Sequence, residues 1–152
     1  MSLAQIFRRA LPLCFCWISL AGAQSLQPEL QELKAAIDKA RAEQVDALSP
    51  NNFSLAVQAY EAAAKEAERG RNADRVRGNI AKANEALANA TAAAATARTE
   101  LAGPFRAFED ALAAEAPRYA AEIWEKAAQR FKEAAGRIER NDLKNAQRRG
   151  AE

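Results

Sequence analysis

The chain places four arginines within nine residues, Arg69, Arg71, Arg75 and Arg77, around one turn. A guanidinium fork binds two oxygens at once, so such a cluster suits contact with a phosphate or carboxylate group of an anionic partner. Glu66, Glu68 and Asp74 lie among these arginines. A solvated, partly self-paired turn is therefore the competing reading, since exposed ion pairs contribute little.

Other reactive residues point away from catalysis. The chain has no histidine, which removes His-ligated zinc, Ser-His-Asp and Cys-His chemistry and the commonest neutral-pH general base. Cys14 and Cys16 both sit in an N-terminal segment expected to be removed. Glu61 and Glu125 each follow an aromatic residue, but nothing in the sequence brings the two carboxylates together as hydrolytic chemistry needs. Phe53, Tyr60, Phe105, Phe108, Tyr119, Trp124 and Phe131 could line an aromatic ligand groove. At helical spacing they read better as core knobs filling gaps left by alanine. No enzymatic activity, cofactor, metal or small-molecule substrate is expected.

The N-terminus reads as a signal peptide over residues 1–23. Arg8 and Arg9 form a basic region, Leu11 to Leu20 a short apolar one, and Ala21-Gly22-Ala23 a peptidase site. The apolar run is too short to span a membrane. Of 22 basic and 20 acidic residues, Arg8 and Arg9 lie in this segment, leaving residues 24–152 balanced. No strong net field exists there to collect nucleic acid or anionic lipid.

The remaining domain, 24–152, is alanine-rich, with eleven alanines in the 22 residues from Ala81 to Ala102. Apolar residues at four-three spacing place helices over about 28–48, 51–69, 73–115, 117–139 and 142–152. The stripe from Val76 through Ile80, Leu87, Ala94 and Leu101 to Phe108 and Leu112 marks a long central helix. Its phase is kept across Gly103-Pro104, which favours a kink near Pro104, with a helix stop as the alternative. Gly70 is expected at C′ of the second helix, with Asn72 or Asp74 capping the third. Short turns make consecutive helices antiparallel neighbours. An elongated, antiparallel, coiled-coil-like bundle is the expected all-α fold.

A weak repeat runs through it. Tyr60-Glu61-Ala62-Ala63-Ala64 resembles Trp124-Glu125-Lys126-Ala127-Ala128 at a separation of 64, whereas Glu68-Arg69 returns as Glu139-Arg140 at 71. The difference of seven reads as one inserted heptad. Abundant alanine alone is the competing explanation.

The stretches Ala47-Leu48-Ser49-Pro50-Asn51-Asn52-Phe53, Ala116-Pro117-Arg118-Tyr119-Ala120, Phe131-Lys132-Glu133-Ala134 and Glu139-Arg140-Asn141-Asp142-Leu143 carry a resemblance. They are similar to an alanine-rich helical domain of unknown function that precedes OmpA-like domains in bacterial envelope proteins. The resemblance implies a periplasmic, cell-envelope protein without enzymatic activity. No OmpA-like segment follows here, so peptidoglycan binding attaches to no residue. The resulting expectation is an exported helical scaffold or spacer contacting envelope proteins or itself. A lipid-surface binder is the alternative, disfavoured because alanine dominates the apolar face.

Overall fold

The computed structural model describes residues 26–70 and 72–151. The expected signal region with Gln24 and Ser25, Arg71, and Glu152 at the end of the helix expected over 142–152 lie outside these residues. Every regular element among the described residues is helical: α1 (Leu26–Ala42), α2 (Val45–Leu48), α3 (Pro50–Glu68), α4 (Ala73–Glu100), α5 (Ala102–Ala113), α6 (Ala116–Tyr119), α7 (Ala121–Ile138) and α8 (Leu143–Gly150). The protein is all-α.

Periodicity explains the long elements. Leu26, Leu30, Leu33, Ile37 and Ala40 form the buried face of α1. Val76, Ile80, Ala83, Leu87, Ala90, Ala94 and Ala97 form that of α4. Stripes at three- and four-residue steps line one face of a 3.6-residue helix and bury it. Small residues along the α4 seam bring α3 close, and the α3–α4 pair makes the most extensive contact in the molecule. The connection is fixed locally. Gly70 takes a positive φ of 62° that glycine adopts without penalty, and Asn72 Oδ1 accepts from the Asp74 N–H at 2.8 Å.

Three expected helices differ from the observed ones. The helix expected over 28–48 divides at Glu43-Gln44, where Gln44 turns left-handed at φ 60°. That turn directs Val45, Ala47 and Leu48 inward together, where α2 meets both α4 and α7. Burial of these side chains outweighs the cost of one left-handed residue, of order 1–2 kcal/mol.

The helix expected over 73–115 divides at Leu101 (φ −114°, ψ 31°), three residues before the proposed kink. Pro104 has no N–H for the Glu100 carbonyl, and its ring conflicts with that carbonyl in a continuous helix. The chain turns at Leu101 instead, so Pro104 falls in the first turn of α5, where N–H groups need no helical partner. Hydrogen bonds from Leu101 N to Ala97 O (2.9 Å) and from Phe105 N to Leu101 O (2.8 Å) hold the junction together.

The helix expected over 117–139 is α6 and α7, separated by Ala120 (φ −140°, ψ 46°). This repeats the geometry of Ser49 (φ −145°, ψ 68°) between α2 and α3. At Ser49 the following Pro50 disfavours helical geometry. Ala120 lacks such a proline, and nothing local accounts for its conformation.

These breaks correct the register of the internal repeat. Gln44 and Glu115 are both left-handed, at φ 60° and 54°, and so are Gly70 and Asn141, at 62° and 58°. Each pair is 71 residues apart, as are Ser49 and Ala120. Turn hydrogen bonds repeat too: Gln44 N to Arg41 O (2.9 Å) matches Glu115 N to Leu112 O (3.0 Å), and Phe53 N to Ser49 O (3.0 Å) matches Trp124 N to Ala120 O (2.9 Å). The spacing is constant from Gln44 to Gly70, with no inserted heptad, and becomes 70 past that turn, where Val76 N to Asn72 O matches Ala146 N to Asp142 O. The 71-residue spacing pairs Phe53 with Trp124, Tyr60 with Phe131, Ala63 with Ala134 and Glu68 with Glu139. One unit thus comprises α1, α2, α3 and the start of α4. The next comprises the end of α4 with α5, then α6, α7 and α8.

Candidate functional site

The predicted arginine cluster is only partly assembled. Arg77 leaves it, pairing with Asp74 at 3.2 Å across one helical turn. Arg69 and Arg75 do come together, across the α3–α4 seam, in a shallow cleft also lined by Lys65, Lys82 and Glu66. Lys65 and Lys82 were absent from the sequence-based set. Spacing could have found them: Lys65 lies four residues before Arg69 and Lys82 seven after Arg75, on the same helix faces. The cleft is open, its cations exposed, and Arg71 lies outside the described residues.

Glu61 and Glu125 are exposed on α3 and α7, away from any such cluster. Among the described residues no group of three or more His, Cys, Asp or Glu side chains could hold a metal ion. No described helix is long and apolar enough to cross a membrane.

Glu139, at the end of α7, carries a densely bonded carboxylate. Its Oε1 accepts from Ser49 Oγ at 2.6 Å and from the Asn52 N–H at 2.9 Å. Its Oε2 accepts from the Asn51 N–H at 3.3 Å and from Asn51 Nδ2. A carboxylate at a helix N-terminus satisfies otherwise orphaned N–H groups and meets the positive end of the helix dipole. Glu139 thus caps α3 from the neighbouring unit. Gly136, one turn earlier, leaves room for Asn51: a Cβ there would lie 3.0 Å from Asn51 Nδ2, which would have to give way by a few tenths of an ångström. This is a structural clamp, legible in sequence only once the 71-residue register is known.

The second unit contains an open apolar groove of about 440 Å³ between α5 and α7. Phe108, Ala111, Trp124, Ala127 and Phe131 line it. Phe108 stacks on Phe131 with ring centroids 5.0 Å apart and tilts against Trp124 at 4.8 Å. The aromatics are therefore knobs, as their spacing implied, but here they floor a groove instead of filling a closed core. Phe53 is instead buried in the first unit, and Tyr119 stands exposed on α6. Every charged residue lining the groove is cationic: Lys126, Arg130 and Arg149.

No protein-family model matches the chain, and no curated protein or solved structure matches it either.

Proposed function

We propose that the protein is a non-enzymatic, exported scaffold or spacer of the bacterial cell envelope, acting through helix–helix contacts with envelope proteins or with itself. The working architecture is an elongated antiparallel bundle whose central α4–α5 segment bends at the Leu101–Pro104 junction. The reading extends to a helical arm of a longer OmpA-like envelope protein. The observation that carries it is the Glu139 clamp, through which the end of α7 in one helical unit caps α3 of the other. Charged groups spent on joining helices, together with alanine seams, are features of a protein built to hold helices at fixed spacing. Export rests on the residue pattern of 1–23.

The alternative, a lipid-surface binder, has one observation in its favour. Tyr119 and Ile123 are each 73% exposed, and Lys126 follows Ile123 on α7. Apolar side chains beside cations are what an interfacial helix presents. Vesicle flotation and cell fractionation test both readings. The scaffold reading expects a periplasmic chain beginning at Gln24 that stays with the soluble fraction beside phosphatidylglycerol vesicles. Salt-sensitive flotation would transfer the assignment to lipid, and an unprocessed cytoplasmic chain would sink export.

A further inference from the structure

We propose that the cleft across the α3–α4 seam is a binding site for an elongated anion carrying two or more phosphoryl groups. The site goes beyond the scaffold reading and does not rest on it.

The fold changes the charge balance that the sequence suggests. Glu66, Glu68 and Asp74 stand among the arginines in sequence, enough to read the turn as self-paired. Two of these three acids lie outside the cleft. Asp74 pairs with Arg77 at 3.2 Å, and Glu68 lines a separate hollow between α1 and α3 together with Lys34. The cleft lining keeps Lys65, Arg69, Arg75 and Lys82 against the carboxylate of Glu66. Among the described residues none of these four cations forms an ion pair.

The cations are strung along the seam. At a rise of ~1.5 Å per residue, Arg75 and Lys82 lie roughly 10 Å apart along α4, and Lys65 and Arg69 roughly 6 Å apart along α3. Arginine forks each take two oxygens of a phosphoryl group, while lysines act as point charges. A single phosphate reaches one end of such a row, whereas a chain of phosphoryl groups engages its length. The cleft, of about 450 Å³, has space for one. Gly78 lies in its lining between Arg75 and Lys82. A Cβ there would meet nothing within 4 Å, so no packing contact calls for glycine. Glycine nonetheless costs a helix interior about 1 kcal/mol relative to alanine. The missing side chain leaves that space open.

The second unit shows what else this helix face can hold. At the 71-residue spacing, Ala62, Lys65, Glu66 and Arg69 correspond to Glu133, Gly136, Arg137 and Arg140. Those four line a cleft together with Pro50 and Asn51, the start of α3. Gly136 leaves room for Asn51 there, whereas the matching place in the first unit carries the long cation Lys65. A helix end seated as α3 is on α7 would meet Lys65, so the first-unit face offers charge where its counterpart offers room.

The probe is inorganic tripolyphosphate, titrated into the full chain at low ionic strength and followed by calorimetry. Saturable one-to-one binding is expected, at least about tenfold tighter than that of orthophosphate and weakening as salt is raised. Arg69→Gln combined with Arg75→Gln should weaken it by at least about tenfold. Gly78→Glu should do the same by placing a carboxylate in the open space, with helical circular dichroism retained. Arg77→Gln removes a neighbouring cation outside the cleft and should leave the affinity within about twofold. Vesicles of cardiolipin, whose headgroup carries two phosphates, identify the source. Competition between these vesicles and tripolyphosphate for the chain assigns the site to a lipid headgroup. Undiminished tripolyphosphate binding beside them assigns it to a soluble polyphosphate. The absence of saturable binding overturns the proposal, as does an equal affinity for orthophosphate. So does a loss in Arg77→Gln as large as in the paired arginine variant, or an unaltered affinity in Gly78→Glu.

Discussion

The two units share a backbone plan but differ in what covers them. In the first, Val45, Ala47, Leu48 and Ser49 of the α2 corner are all buried, between α4 and α7. In the second, the corresponding Ala116, Arg118, Tyr119 and Ala120 are half-buried or exposed. The first unit donates its α3 N-terminus to the Glu139 carboxylate. The N-terminus of α7, by contrast, has at its cap Ala120, whose side chain carries no acceptor. The same turns are therefore core in one place and surface in the other. Local conformation and burial are separable here, and the side chains have followed burial.

That contrast can be broken most forcefully at the α2 corner. Leu48 is 0% exposed, so Leu48→Ala should cost about 2–5 kcal/mol in chemical denaturation. Tyr119→Ala, at the corresponding exposed site, should stay within about 0.5 kcal/mol. Equal losses at the two sites would mean that the second unit is also a closed core.

The clamp should give the next largest difference. Glu139→Ala strips acceptors from the Asn51 and Asn52 N–H groups and leaves the buried Ser49 hydroxyl unpaired, a loss of about 2 kcal/mol. Glu68→Ala, 71 residues earlier, should shift the denaturation midpoint little, because Glu68 is exposed. Amide hydrogen exchange would localise the Glu139→Ala effect to the first turn of α3.

Backbone strain should move both units alike. Gln44 and Glu115 hold positive φ without being glycine, so Gln44→Gly and Glu115→Gly should each stabilise by about 1 kcal/mol or less. A gain at one site only would show that the second left-handed turn is not equivalent to the first.

The smallest expected effect is in acid. The side-chain amide of Asn145 and then Arg137 hold the Asp142 carboxyl below its ordinary value of 3.8. The lowered folded value means the ionised form supports the fold at neutral pH. Its contribution is complete above the ordinary carboxylate range and is lost as pH falls through the lowered folded value. Asn72, which caps the corresponding turn of the first unit, does not titrate. In an NMR titration, Asn145→Ala should raise the Asp142 midpoint. An unmoved midpoint would remove Asn145 as the cause.

Much of the fold was legible because burial of a helix face leaves a period in the sequence. The α1 and α4 stripes, Gly70 at the end of α3 and the Asn72 cap all follow from residue type and spacing. The breaks at Gln44 and Leu101 were not, since neither residue marks a break by its own propensity. Pro104 was visible, yet its conflict lies with the carbonyl four residues back, which moved the interruption to Leu101. The repeat was seen in the wrong register because Tyr60-Glu61 and Trp124-Glu125 match as short strings. The spacing of seven within Phe53–Tyr60 and within Trp124–Phe131 was the better signal. Of the arginine cluster, sequence proximity joined Arg77 to a site that it leaves, and missed Lys65 and Lys82, which reach the cleft across the seam.

By itself, then, the sequence determined an all-helical chain without histidine chemistry, with its apolar stripes and most helix ends in place. These are properties of single segments, fixed by hydrophobic period and by backbone limits on glycine and proline. Only the tertiary structure decided that Glu139 caps a helix whose Asn51 lies 88 residues away in sequence, that α2 is core while α6 is surface, and that Trp124 faces a groove. Each of those outcomes depends on which segment covers another. Identical local turns can be buried or exposed, and only the neighbour that covers them selects between the two.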